Sequence, residues 1–110
     1  MSITGTMNSA VSGMVDNTIR LAVAASNIAN ARAVDYQASQ VQSSTIATAQ
    51  GDGGTYTPGG VQAVILEDSA PVDIATEFVH MIMAQTAYRA NIESIRTAEE
   101  MSRELIDIKA

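Results

Sequence analysis

The sequence predicts a mainly α-helical chain with a long helix at each end, the two helices packed antiparallel as a coiled-coil-like layer. Two observations predict this fold class: helix-spaced apolar residues fill both ends, and a polar, glycine-rich stretch separates them. A chain of 110 residues is enough for one modest domain with a small core. We expect one domain made of an N-terminal helix at 1–32, a β-prone linker with a hairpin and glycine-rich loop at 33–70, and a C-terminal helix at 71–110.

The N-terminal helix is predicted by apolar and small residues that recur at alternating steps of four and three. The residues at this spacing are Met7, Val11, Met14, Thr18, Leu21, Ala25 and Ile28. Such a spacing is typical of a helix with a heptad-like seam. A serine or threonine between residues 2 and 6 can cap its start, and Gly13 weakens its interior by roughly 1 kcal/mol relative to alanine.

In the linker the residue pattern changes to a period of two residues. Alternating residues, Val41, Ser43, Thr45 and Ala47 against Gln42, Ser44, Ile46 and Thr48, predict a weak and mostly polar strand. Val61–Leu66 is the predicted returning strand. Glycines and a proline crowd residues 51–60 between the two segments. A stretch this rich in turn residues predicts a hairpin tip or a mobile loop.

The start of the C-terminal helix is predicted by Ser69, Pro71 and Asp73, residue types that favour the first turn of a helix. Its first apolar stripe is Phe78, Met81, Ile82, Tyr88, Ile92 and Ile95. The stripe then steps around the helix surface and continues with Ala98, Met101, Leu105 and Ile108. A stripe that drifts in this way indicates a helix with more than one neighbour.

The two helices would be roughly 37 and 52 Å long at the usual rise per residue. A monomer of 110 residues is too small to cover apolar stripes of that length. The sequence therefore indicates self-assembly.

Charge and composition exclude several classes of function. The net charge of −6 argues against nucleic acid as a partner, because binding to phosphate needs cationic side chains. The absence of cysteine excludes disulfides and zinc–thiolate sites. No apolar stretch reaches the roughly 18 residues of a membrane span. No basic segment followed by an apolar run opens the chain, so we expect no cleaved signal peptide.

The residues also argue against an enzyme. His80 is the only histidine, and a metal site would have to join it with Glu77 or Asp73 on the same helical face. No nucleophile-elbow pattern is present, and the glycine-rich stretch GDGGTYTPGG lacks the lysine and the spacing of a phosphate-binding loop. We predict no catalytic residues, no cofactor and no metal.

Both ends of the chain resemble the flagellar axial proteins, in particular the basal-body rod family. The resemblance lies in SAVSGMVDNTIRLAVAASNIANARAVDY, residues 9–36, and in VDIATEFVHMIMAQTAYRANIESIRTAEEMSRELIDI, residues 72–108. The family often follows Asn-Ile-Ala-Asn with a Thr-Pro-Gly-Tyr turn, whereas here Ala33, Val34 and Asp35 precede Tyr36. The short linker resembles that of the proximal-rod subunits, rod proteins of the C or B type.

The resemblance implies a structural subunit of the flagellar rod in the periplasmic space, assembling with copies of itself and with other rod proteins to transmit motor torque. It also implies export by the flagellar type III apparatus without cleavage. The alternative is a small helical adaptor or secreted effector that binds a partner through the same apolar seams.

Asn27 and Asn30 lie three residues apart on one face of the predicted helix, near its end. Their amides can bond the unpaired carbonyls of a helix end or a neighbouring chain, and Ala29 between them permits close approach. The residues leave open whether Asn30 only terminates the helix; with the family resemblance we expect a cap and a subunit contact. The predicted assembly interface comprises Met14, Leu21, Asn27, Ile28, Asn30, Phe78, Ile82, Tyr88, Ile92, Ile95 and Leu105.

Overall fold

The computed structural model describes residues 2–51, 53–54, 56–68 and 70–109, and it confirms the predicted fold class. The elements in chain order are helix α1 (Ile3–Asn30), strands β1 (Ser39–Ile46), β2 (Ala49–Gln50), β3 (Tyr56–Thr57) and β4 (Gly60–Glu67), and helix α2 (Ile74–Lys109). Strands β1 and β4 pair antiparallel over their whole length, and β2 and β3 extend the same hairpin toward its tip. None of the described helices combines the length and the apolarity needed to cross a membrane.

Side chains cap both helices at their starts, as the sequence predicted. The Ser2 hydroxyl accepts a hydrogen bond from the Gly5 amide at 3.1 Å, and Ser2 itself is extended. At α2 the Asp73 carboxylate accepts bonds from the Thr76 hydroxyl at 2.8 Å and the Ala75 amide at 3.1 Å. These bonds, the Thr76 bond foremost, hold the pKa of Asp73 below its usual value. Ser69, which was also expected to signal this start, lies outside the described residues.

The helices run antiparallel and approach each other through small side chains. Gly13 of α1 lies against Asn91 of α2, and further along α1 Ala24 lines a cleft together with Ala84, which comes earlier in α2. The buried hydrophobic residues among those described are all alanines, at positions 10, 24, 38, 84 and 98. Close approach of two helices requires such small residues at the contact, because larger side chains would hold the helix axes apart.

The predicted seam of α1 lies at the edge of the contact between the two helices, where Met7, Met14 and Ile28 are half-buried. Val11 and Leu21 of that seam are 49% and 37% exposed. The glycine and alanine face packs inside the chain instead, and the seam of larger side chains stays available to other molecules.

The hairpin is fastened to α1 mainly by polar side chains. The Ser12 hydroxyl accepts a hydrogen bond from the Val61 amide at 3.1 Å. Asp16, which is buried, pairs with Arg20 at 2.9 Å, and both bond the Ser43 hydroxyl of β1. Buried charges are tolerated when they are paired in this way, so this cluster fixes the position of the hairpin on the helix.

The glycines of the loop fall into two groups with different roles. Gly53 and Gly54 have positive φ angles of 91° and 82°, and a side chain there would meet no other atoms. Gly59 is buried, and a Cβ atom on it would lie 2.8 Å from the carbonyl oxygen of Ile46. The sequence predicted a hairpin tip or a mobile loop over residues 51–60, whereas the structure shows open space around Gly53 and Gly54 and a tightly packed base at Gly59.

We predict that deleting Gly53 and Gly54 together leaves the hairpin docked on α1, because loop closure depends weakly on length. Gly59→Ala should loosen the hairpin, because the backbone of Ile46 cannot move away without breaking the ladder. Hydrogen exchange of the β4 amides measures both effects. Equal protection in the Gly59→Ala variant and the unchanged chain would show that the base tolerates a side chain.

The folded chain is elongated and exposes more surface than a compact monomer. Its radius of gyration is 18.2 Å, whereas a compact chain of this length would have about 13 Å. Its accessible surface is 7895 Å², against about 5,800 Å² for a compact monomer of 11.5 kDa. The excess is about 2,100 Å².

Candidate assembly surfaces

One side of α1 is occupied by the hairpin, and the predicted seam lies on the opposite side. The hairpin is held by Ser12, Asp16 and Arg20. At about 100° per residue, Met14 and Leu21 lie about 150° around the helix from these contacts. Met14 is half-buried at the edge of the helix pair and Leu21 is exposed.

The first stripe of α2 lies on the same side of the helix pair. His80 and Met83 of α2 line a cleft with the hairpin. Phe78 and Ile82 lie on the far side of α2 from that cleft, and they are 52% and 63% exposed. The stripe residues nearest α1 are only half-buried: Tyr88, Ile92 and Ile95. The two helices thus present one continuous apolar face on the side away from the hairpin.

We call this face the front surface. It comprises Met14, Leu21, Ile28, Phe78, Ile82, Tyr88, Ile92 and Ile95. Eight of the eleven residues predicted for assembly therefore lie together, and their contact with another subunit stays a prediction.

Asn27 has a different role from the one the sequence suggested. Its side chain is 0% exposed and makes all its hydrogen bonds inside the chain. The amide nitrogen donates to the carbonyl of Ser39 at 2.8 Å, and the amide oxygen accepts from the Ser39 amide at 2.9 Å and the Tyr36 hydroxyl at 3.0 Å. Asn27 joins α1 to the first residue of β1, so we withdraw it from the subunit contacts.

Asn30 bonds within its own helix. Its amide nitrogen donates to the carbonyl of Ser26 at 2.8 Å, in the last turn of α1. This is the carbonyl bond expected of a residue that ends a helix. A contact between Asn30 and another chain stays a prediction.

Leu105 lies on another surface, near the end of α2. It is 58% exposed, and its neighbours at helical spacing, Met101 and Ile108, are 52% and 84% exposed. We call these three residues the tail surface. The step in the predicted stripe therefore moves it to a different side of the helix, where it cannot join the front surface of the same chain.

The sequence did not predict which polar residues hold the hairpin against α1. Asp16 and Arg20 stand four residues apart with opposite charges, a spacing that favours an ion pair on one helical face. That signal indicated a pair, but it did not indicate that Ser43 would complete it. Tyr36 was noted only as part of a turn, and its hydroxyl bonds Asn27.

The cleft between the hairpin and the helices has a volume of about 580 Å³ and carries the only histidine of the chain. His80 Nδ1 lies 3.7 Å from Oε2 of Glu77, which is buried. Over the residues that the structure describes, no group of three side chains is placed to hold a metal ion.

Comparison with known proteins gives matches at both ends of the chain, in the same order as the two helices. Residues 7–37 match the family "Flagella basal body rod protein", and residues 67–108 match "Flagellar basal body rod FlgEFG protein C-terminal". The first match covers most of α1, and the second covers nearly all of α2.

Curated relatives come from the same group of proteins. The chain is 41% identical over 59 residues to the flagellar basal-body rod protein FlgG of Bacillus subtilis (strain 168), which is 54% of this chain and 21% of FlgG. It is 40% identical over 65 residues to the flagellar hook protein FlgE of Rhizobium meliloti (strain 1021), 59% of this chain and 16% of FlgE. These alignments span about a fifth or less of the relatives' length.

Two long antiparallel helices with an alanine core and open apolar surfaces are typical of a structural protein that assembles through its terminal helices. The chain belongs to the flagellar basal-body rod family.

Proposed function

We propose that this chain is a structural subunit of the proximal part of the flagellar rod. It assembles through its terminal helices, with copies of itself and with other rod proteins, into the shaft that carries torque from the motor. The observation that carries the proposal is the front surface, which is apolar, continuous across both helices and open in the single chain.

Burial energetics support assembly over a free monomer. Apolar surface contributes roughly 25 cal/mol for each Å² removed from water. Monomers rarely leave a large apolar face exposed, and such a face usually marks a site of protein contact. The matches to both terminal helices favour the rod over the adaptor or effector that the sequence left open.

The position along the rod is inferred from the linker. Only residues 31–73 separate α1 from α2, and most of them form one hairpin held against α1. Such a subunit adds little bulk outside the helical layer, which suits a proximal-rod protein of the C or B type. Export by the flagellar type III apparatus and a periplasmic location belong to the same proposal.

The test uses cells in which Tyr88→Ala or Phe78→Glu is the only copy of the protein. Truncation of a buried aromatic costs about 3 kcal/mol or more, and this loss repeats in every subunit of the shaft. We expect export of the variant chains without hooks and without motility. Immunoblots of exported protein, electron microscopy of basal bodies and swimming assays measure the three outcomes.

Thr97→Ala is the matched control, because the Thr97 hydroxyl is exposed and bonds only the Glu93 carbonyl of its own helix. These cells should swim normally. Intact basal bodies and normal swimming in cells with Tyr88→Ala and with Phe78→Glu would show that the front surface does not hold the rod together.

A further inference from the structure

Helix α2 carries two separate apolar surfaces, one near each end. At its start the front surface includes Phe78 and Ile82, and at its end the tail surface includes Leu105 and Ile108. At about 100° per residue the centre of Phe78 and Ile82 lies about 130° around the helix from the centre of Leu105 and Ile108. The two groups face different sides of the helix, so a single flat partner cannot cover both.

Most of the tail surface lies on a part of α2 that extends beyond the described residues of α1. Gly13 lies against Asn91, and both helices rise by the same amount per residue. Ile3, ten residues before Gly13, is therefore level with Met101, ten residues after Asn91. Residues 102–109 extend about 12 Å beyond the start of α1.

We propose that the tail surface of one copy packs against the α2 portion of the front surface of the next copy. The contact joins unlike surfaces, so an open row of copies keeps one unused surface at each of its two ends and extends along one axis. This inference rests on the proposed function and specifies which surfaces of a second copy meet.

The exposed area of the chain as a whole leaves room for two such contacts per copy. The chain exposes about 2,100 Å² more than a compact monomer of its mass. A standard interface buries about 800 Å² on each partner. One interface at each end would therefore bring the exposed area close to that of a compact subunit.

Some of the exposed charges beside the two surfaces are opposite in sign. Arg89 is exposed on the front side of α2, while Glu100 and Glu104 are exposed near the tail surface. The ion pairs found among the described residues include none of these three side chains. A contact between the two surfaces places the cation of one copy near the carboxylates of the other.

The experiment uses the full chain in three purified forms: unchanged, Phe78→Glu and Leu105→Glu. Phe78→Glu damages the front surface and leaves the tail intact, and Leu105→Glu does the reverse. In sedimentation velocity the unchanged chain should form species that grow with concentration. Each variant alone should be monomeric, with a dissociation constant raised at least about 30-fold. An equimolar mixture of the variants should form a 1:1 dimer and nothing larger.

Asn8→Glu is the control, because Asn8 is exposed on α1 away from both surfaces and the substitution adds the same charge. It should assemble like the unchanged chain.

Circular dichroism checks that every form has the same helix content. If a variant has lost helix, the Arg89→Glu and Glu104→Arg pair replaces it: each alone should weaken association, and their mixture should restore it.

Three results would overturn the inference. Dimers formed by Phe78→Glu alone or by Leu105→Glu alone would show that like surfaces pair. A mixture that stays monomeric would show that the two surfaces are not partners. If the unchanged chain stays monomeric at every concentration, a second copy is not the partner of these surfaces. The motility test of the proposed function gives its result independently of this one.

Discussion

Replacing Asn27 by alanine should lower the free energy of unfolding by about 3 kcal/mol. The substitution removes three hydrogen bonds, two of them to the backbone of Ser39 and one to the Tyr36 hydroxyl. Ser39 is the first residue of β1, so its amide and carbonyl would lose their partners where the hairpin meets α1. A buried polar group left without a partner costs about 1–3 kcal/mol, which is more than the bond itself contributes.

Asn30→Ala is the matched control, because it removes the same side chain three residues away. Asn30 bonds only within the last turn of α1, so the change should stay within about 0.5 kcal/mol. Urea titrations followed by circular dichroism give both values, with trimethylamine N-oxide added to stabilise the fold. Equal effects of the two substitutions would contradict the role assigned to Asn27.

The two asparagines show what the sequence could and could not predict. Their spacing placed them on one side of a helix end, and the structure confirms that a helix ends at Asn30. The hairpin distinguishes the two asparagines. Its first strand returns to α1 beside Asn27, and Asn30 lies outside that contact. The direction of that return depends on contacts far apart in sequence, such as Ser12 with Val61, and a local pattern holds no information about them.

The apolar periodicity predicted both helices, but it did not identify the residues through which they pack inside the chain. Large side chains such as Met14 and Leu21 dominate any hydrophobic pattern, whereas glycine and alanine contribute little to it. Inside the chain the helices pack through Gly13 and Ala24, because small residues permit a close approach. We expect that in a subunit that assembles, the strongest apolar pattern in the sequence marks the surface that contacts a partner.

Gly13→Val should lower the free energy of unfolding by about 2–3 kcal/mol. A Cβ atom on Gly13 would already lie 2.8 Å from Nδ2 and 3.1 Å from Oδ1 of Asn91. The two methyl groups of valine extend further toward α2, and the helices would have to separate along a contact made of alanines. The same urea titration measures the loss, and Val15→Ala, at an exposed position of the same helix, should change stability by less than about 1 kcal/mol.

Alanine at position 13 separates the contact from the helix propensity of glycine. Alanine favours a helix by about 1 kcal/mol over glycine, but here its Cβ atom must displace the Asn91 side chain. We therefore expect Gly13→Ala to be close to neutral in the unchanged chain and to stabilise by about 1 kcal/mol when Asn91 is also alanine. A double-mutant cycle over these two positions measures the coupling between α1 and α2 directly. If Gly13→Ala stabilises equally with and without Asn91, the helices do not meet at this point and the antiparallel register drawn from it is wrong.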